Sequence, residues 1–184
     1  AGTELDAADR GLGSLGLTFA GFAEQEQKIK EYRRRIQLCN PVGDFVNEQV
    51  NTVNFLFCHE DDAEGSRIGR HMATTFNYLA SQLVSAREAF PSKSYKSLGL
   101  LPQLRRQAVG PDNQGEGAEG LALGNPEHIL RAVKRWDSVG VDRINFLLNC
   151  MEDIPQEQVL KSLRLFAREV MPEFHDREAQ QLVG

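Results

Sequence analysis

The chain of 184 residues has no excess of positive charge: 21 Lys+Arg face 26 Asp+Glu, a net charge of −5. Nucleic acids and anionic membrane surfaces are held by clustered basic residues, so neither is an expected partner. Long apolar runs are also missing. None approaches the ~18 residues that a bilayer span needs, and the N-terminal stretch AGTELDAADR has neither the basic start nor the apolar core of a signal peptide. The expected compartment is the cytoplasm. Cysteine is scarce: Cys39, Cys58 and Cys150 are three in all, with no C-x-x-C pair, which argues against a disulfide framework or a zinc site. Cys58 and His59 are adjacent, but neighbours on a strand point to opposite faces and do not share an ion, so no metal is expected. What is present is ordinary for a folded domain, 41% apolar and 26% charged. At roughly 100–200 residues per domain, 1–184 reads as a single domain.

Strand-like and helix-like stretches alternate along the chain. Gly11 to Phe19 (GLGSLGLTF) is short, apolar and glycine-interrupted, as suits a strand buried on both faces. Phe22 to Leu38 follows as an amphipathic helix, with Phe22, Ile29, Tyr32 and Ile36 on one stripe. The turn residues Asn40 to Asp44 lead into Val50 to Cys58, rich in β-branched and aromatic residues. The acidic run Glu60-Asp61-Asp62 suits the start of a helix over about 63–90, with Met72, Phe76, Leu79 and Leu83 at helical spacing. Residues 91–120 break the rhythm with repeated Pro and Gly, leave room for one short helix, and read as a mobile loop or active-site lid. A very short strand at Leu121 to Gly124 then meets a helix with Asn125 as N-cap and Pro126 at its first position. Ile129, Val133 and Trp136 form its buried stripe, and Gly140 follows as a left-handed cap. Val141 to Asn149 reads as a strand, and Pro155 to Val170 as a helix lined by Val159, Leu163, Phe166 and Val170. Four strand–helix units of this kind give an α/β fold with parallel strands, either an open doubly wound sheet or part of a (β/α)8 barrel.

Particular strings narrow the choice. Leu123-Gly124-Asn125-Pro126-Glu127, then Trp136 to Arg143 (WDSVGVDR) and Glu157 to Pro172 (EQVLKSLRLFAREVMP), resemble the late part of luciferase-like flavin-dependent monooxygenases. Gly11 to Phe19 is similar to that family's fifth barrel strand, and Phe57-Cys58-His59-Glu60-Asp61 to the end of its sixth. The resemblance implies the second half of a TIM-type (β/α)8 barrel, strands five to eight with outer helices, in a family whose usual chain is nearly twice as long. A start at Ala1 without Met favours a piece of a longer or cleaved polypeptide. A half barrel leaves open strand edges, which invites pairing with the remaining half or with a second copy. The implied activity is oxidation of a small organic substrate by O2 and reduced FMN, with a flavin reductase as a possible electron supplier. A deazaflavin-dependent oxidoreductase of the same superfamily and a non-catalytic half-barrel assembly module are the alternatives.

In such folds the site lies where strands end and helices begin. The candidates are therefore Thr18 to Phe22, Cys58 to Glu60, Gly124-Asn125 and Asn149 to Met151. In the family, the stretch after the fifth strand lies by the flavin phosphate. Thr18, Phe19, Ala20, Gly21 and Phe22 are accordingly the cofactor-binding candidates, with Gly21 allowing close approach to a helix start. His59 is the candidate acid or base, since histidine titrates near neutrality; a surface residue beside Glu60-Asp61-Asp62 is its blander reading. Cys58 and Cys150 read as small packed hydrophobes, and His71, His128 and His175 as structural or solvated. Arg33-Arg34-Arg35 reads as a solvated helix face ion-paired to nearby glutamates. Phe55 and Phe57 share one strand face and read as core layers.

Overall fold

The computed structural model describes residues 3–17, 22–88 and 120–174, and its sheet is organised around one strand. The elements in chain order are α1 (Thr3–Asp9), β1 (Ser14–Leu17), α2 (Phe22–Ile36), β2 (Val50–Cys58), α3 (Asp62–Glu88), β3 (Ala122–Gly124), α4 (Pro126–Ser138), β4 (Arg143–Leu147) and α5 (Gln156–Glu169). The fold is α/β with a parallel sheet, as the alternation predicts. β2 pairs in parallel with each of the other three strands: β1 along Val50–Val53, β4 along Asn51–Phe55 and β3 along Leu56–Cys58. Among the described residues no helix is long and apolar enough to cross a membrane. The 91–119 part of the expected loop, and the tail beyond Phe174, lie outside the described residues.

β2 is apolar at successive positions because both of its faces are covered, the condition that gives parallel strands continuous rather than alternating apolarity. Phe55 and Phe57 pack with Met72 and Ala73 of α3, Leu123 of β3, and Ile154 and Val159 at the start of α5. The intervening Leu56 and Cys58 pack with Ala122, Ile129 of α4 and Val170. Further back, Val50 joins Phe22, Ile29, Tyr32 and Ile36 of α2 and Trp136 of α4. The expected helix stripes supply the core, with Met72 and Phe76 on α3; Leu79 is 37% exposed, and the side chain of Leu83 lies outside those described.

Two features differ from a wall of consecutive barrel strands. In such a wall β4 pairs with β3 and the helices share one face. Here β4 pairs with β2, and α3 lies across the face opposite to the one that α2 and α4 cover. β3 pairs with the far end of β2 alone, at Leu56–Cys58, and β4 with the stretch Asn51–Phe55.

The edges of the other elements have local causes. β1 begins at Ser14 rather than Gly11, the last two residues of the expected Gly11–Phe19 run lie outside the described residues, and Leu15 is 65% exposed on a strand that among the described residues pairs on one side. Helix α1 carries a single buried residue, Ala8, so it has no apolar stripe to betray it in sequence. At the start of β4, Val141 N–H turns back to Trp136 O at 3.2 Å, through Gly140 at φ +92°. At its end Asn149 adopts φ +40°, which stops the ladder.

The arginine run is only partly the solvated face it resembles. Arg34 pairs with Glu31 one turn away, as expected. Arg35 instead reaches Asp9 of α1, and its guanidinium holds that carboxyl below its ordinary pKa. Arg33 donates to Glu48 O and Gly140 O, both at 2.8 Å, and to Asp142 Oδ2 at 2.6 Å. That carboxylate also accepts the Val50 N–H at 2.7 Å, so one arginine ties α2 to the first residues of β2 and β4.

Candidate functional site

The strand ends are brought together at β2 and β3. His59 N–H donates to Gly124 O at 2.9 Å, which joins two of the four candidate stretches. Beside them Asp62, at the first turn of α3, accepts the Asn125 N–H at 2.9 Å through Oδ1. The same Oδ1 lies 3.2 Å from Nδ1 of His128, on α4. Asn125 caps α4 as expected, its Oδ1 accepting the His128 N–H at 2.8 Å. Gly124, at φ +153°, leaves room for this arrangement: a Cβ there would collide with Asp62 Oδ1 and come within 3.1 Å of the His128 ring. Close approach of α3 to β3 needs a second glycine, Gly65, where a Cβ would stand 2.8 Å from Gly124 O.

His59 faces no acid–base partner of this kind among the contacts described. Its Nδ1 accepts the Asp61 N–H at 3.0 Å, a local turn that fixes the ring beside the acidic run. Asp62 and His128 are the pair that sequence reasoning missed, because 66 residues separate them and only α3 packed on β3 brings them into contact. The one available signal was the position of each, immediately after a strand.

The flavin candidates divide. Phe22 is a core residue: it is 5% exposed, its ring lies edge-on to Trp136 at 4.8 Å, and the Arg135 guanidinium stacks over it at 4.0 Å. The Phe22 side chain is thus committed to the interior, and a part for Phe22 in a cofactor site would be through its backbone at the start of α2. Thr18, Phe19, Ala20 and Gly21 lie outside the described residues. A phosphate needs free N–H groups at a helix start without opposing charge. At the β2 and β3 ends those of Glu64, Asn125 and His128 are already taken by Asp61, Asp62 and Asn125, amid several carboxylates. That corner does not suit a flavin phosphate.

The fourth stretch, Asn149 to Met151, is held elsewhere along α3. Asn149 N–H points to Met72 Sδ at 3.1 Å, and its side chain closes a loop by accepting from Ile154 N–H and donating to Ile154 O. Cys150 is exposed rather than packed, since it sits on this loop. Cys58 is the packed hydrophobe expected: burial pushes its thiol up to about 12, with the charge of Glu169 adding. Because folding favours the protonated thiol, this contribution is complete below the unfolded thiol pKa near 9 and is lost as pH rises toward 12. Thermal melts between pH 8 and 12 should therefore show an alkaline loss of stability that is smaller in a Cys58→Ala variant, in which Cys150 and the buried Tyr32 still contribute. In the native protein iodoacetamide should label Cys150 and spare Cys58.

A cavity of about 440 Å³ opens away from the strand ends, between α1, α2 and the first residues of β1 and β2. Glu4 and Lys28 on its wall stand 3.9 Å apart. It adjoins β1 at Gly13 to Gly16.

No protein-family model matches the sequence, and no curated protein matches it. Solved structures match the fold. Monooxygenase RslO1 from Streptomyces bottropensis superimposes with a TM-score of 0.59 at 17% identity, over 93% of this chain and 44% of its own. The oxygenating constituent of 3,6-diketocamphane monooxygenase from Pseudomonas putida, a type II Baeyer-Villiger monooxygenase in complex with FMN, gives 0.58 at 14% identity, over 92% and 44%. The apo form of MsnO8 gives 0.53 at 19%, over 91% and 47%. The chain thus shares the α/β arrangement of these structures, and it spans less than half the length of each.

Proposed function

We propose that this chain is the C-terminal part of a flavin-dependent monooxygenase of the luciferase-like kind, one flank of a TIM-type barrel that oxidises a small organic substrate with O2 and reduced FMN. The observation that supports this best is the superposition of nearly the whole chain on three solved structures, two of them monooxygenases and one of these holding FMN. The strings around Gly124 and Val141 support it independently. When bound, the flavin supplies the oxygen chemistry, and the protein's part is to position substrate and exclude water. The segment Thr18 to Gly21, just before α2, is where the FMN phosphate would be held, since the described strand ends at β2 and β3 are capped and acidic. A cytoplasmic setting, where thiols stay reduced, goes with the free Cys39, Cys58 and Cys150. A flavin reductase would supply reduced cofactor.

A partner is part of the reading. β1 pairs along one edge among the described residues, and Leu15 is exposed beside the cavity. Unpaired strand edges recruit further strands. The remaining part of the enzyme is the expected occupant, with a second copy as the other. Fluorescence quenching of FMN on titration with the chain tests the proposal. Binding in the micromolar range is expected, weakened by about tenfold or more in Gly21→Asp, which places a side chain and a negative charge against the phosphate. Absence of binding by the chain, both alone and joined to a complementary segment, would overturn it. Retention of a 5-deazaflavin in preference to FMN would instead select the deazaflavin-dependent alternative.

A further inference from the structure

We propose that Asp62 and His128 form a proton-transfer pair at the ligand-facing end of the sheet, serving a small organic substrate with an ionisable O–H. The reaction partner rests on the monooxygenase reading; the pair itself rests on geometry. Ligands of parallel α/β sheets bind outside the carboxyl ends of the strands, and the pair stands there, where β2 and β3 end. Three contacts fix it. Asp62 is anchored by the Asn125 N–H, His128 by its backbone bond to the Asn125 cap, and the two side chains meet at 3.2 Å. A side chain at Gly124 would break it by filling the place of the carboxylate, and one at Gly65 by pushing α3 from β3.

The chemistry follows from which nitrogen faces the carboxylate. An ionised Asp62 accepts hydrogen bonds and does not donate, so Nδ1 carries the proton and Nε2 keeps its lone pair. His128 is about one quarter exposed, which leaves the ring within reach of a ligand. Nε2 takes the substrate O–H proton as a new N–H bond forms and the O–H bond breaks. The electron pair stays on the substrate oxygen, and the imidazolium is balanced by Asp62. The same proton returns to product or solvent, so no oxidant is consumed in this step. Among the described residues, the other charged groups at this end include His59, Glu60, Asp61, Glu64 paired with Arg67, Glu127 paired with Arg131, and Arg168 and Glu169 of α5, which act on Glu60 and Cys58. None of them lies within contact distance of His128 in the bonds described.

Two measurements test this, and the first needs no flavin. In the chain labelled with 15N-histidine, long-range NMR correlations should show His128 protonated at Nδ1 and bare at Nε2, and Asp62→Asn should scramble that preference. A ring protonated at Nε2 overturns the proposal whatever the flavin titration gives. The second uses the FMN-loaded, complete enzyme with a phenolic probe substrate. His128→Gln and Asp62→Asn should each lower kcat by about 10²–10⁴-fold and abolish the lower limb of its pH profile. His71→Gln, whose ring pairs with Asp153, should leave both unchanged. Full activity and an unaltered pH profile in His128→Gln would reduce the pair to a tether between α3 and α4 and overturn the assignment.

Discussion

Trp136→Ala is expected to cost about 3–5 kcal/mol, the range for truncating a buried aromatic, against the 5–15 kcal/mol that hold a typical domain together. The indole is 1% exposed and lies in the core shared by α2, α4 and β2. Its removal leaves a cavity beside Phe22, whose ring meets it at 4.8 Å, and the surrounding helices cannot close it without pulling α2 from Val50. A polar loss is added. Trp136 Nε1 donates to Gly120 O at 2.8 Å, and the buried Asn54 donates to the same carbonyl at 2.6 Å. These two bonds pin the residue that leads into β3. Trp136→Phe keeps most of the apolar volume and loses the indole bond, so about 1–2 kcal/mol is expected. Urea unfolding of both variants checks the ordering; equal midpoints for Ala and wild type would show that the core is not where the structure puts it.

Gly65→Val is expected to destabilise by about 3 kcal/mol, toward the upper end of what overpacked cores show. A Cβ at this position would stand 2.8 Å from Gly124 O and 2.9 Å from the carbonyl carbon. Those atoms are backbone in β3, tied to His59 N–H on one side and capped by Asp62 and Asn125 on the other, so they cannot step aside as a flexible side chain would. The helix must move instead. Because Asp62 begins that helix, its contact with His128 opens as well. The variant should therefore lose both midpoint stability and the Nδ1 proton preference of His128. Gly43→Val is the matched control: nothing lies within 4 Å of a Cβ there, and a change within about 0.5 kcal/mol is expected.

Periodicity made much of this molecule legible from the residues alone. Phe22, Ile29, Tyr32 and Ile36 all face the core, β2 runs over Val50–Cys58 as its composition suggests, and Asn125 and Pro126 open α4 as cap and first residue. Each of these rests on side chains a few positions apart, where a strand or helix geometry decides the outcome. Phe22 shows the limit. Lying on the core stripe and beside the candidate cofactor stretch, it satisfied two readings, and packing against Trp136 commits its side chain to the first. Arg33 is similar, since a lone helix would leave it in water while the fold gives it the carbonyls of Glu48 and Gly140.

Local sequence therefore determined the α/β class, the order of its elements and the inward face of most helices, because hydrophobic spacing acts within a single element. Tertiary structure decided which strands are neighbours, why β4 lies against β2, and the meeting of Asp62 with His128. Those outcomes depend on which elements meet across the sheet and on glycines such as Gly65, Gly69 and Gly124 that let α3 approach β3, relations that no window of sequence contains.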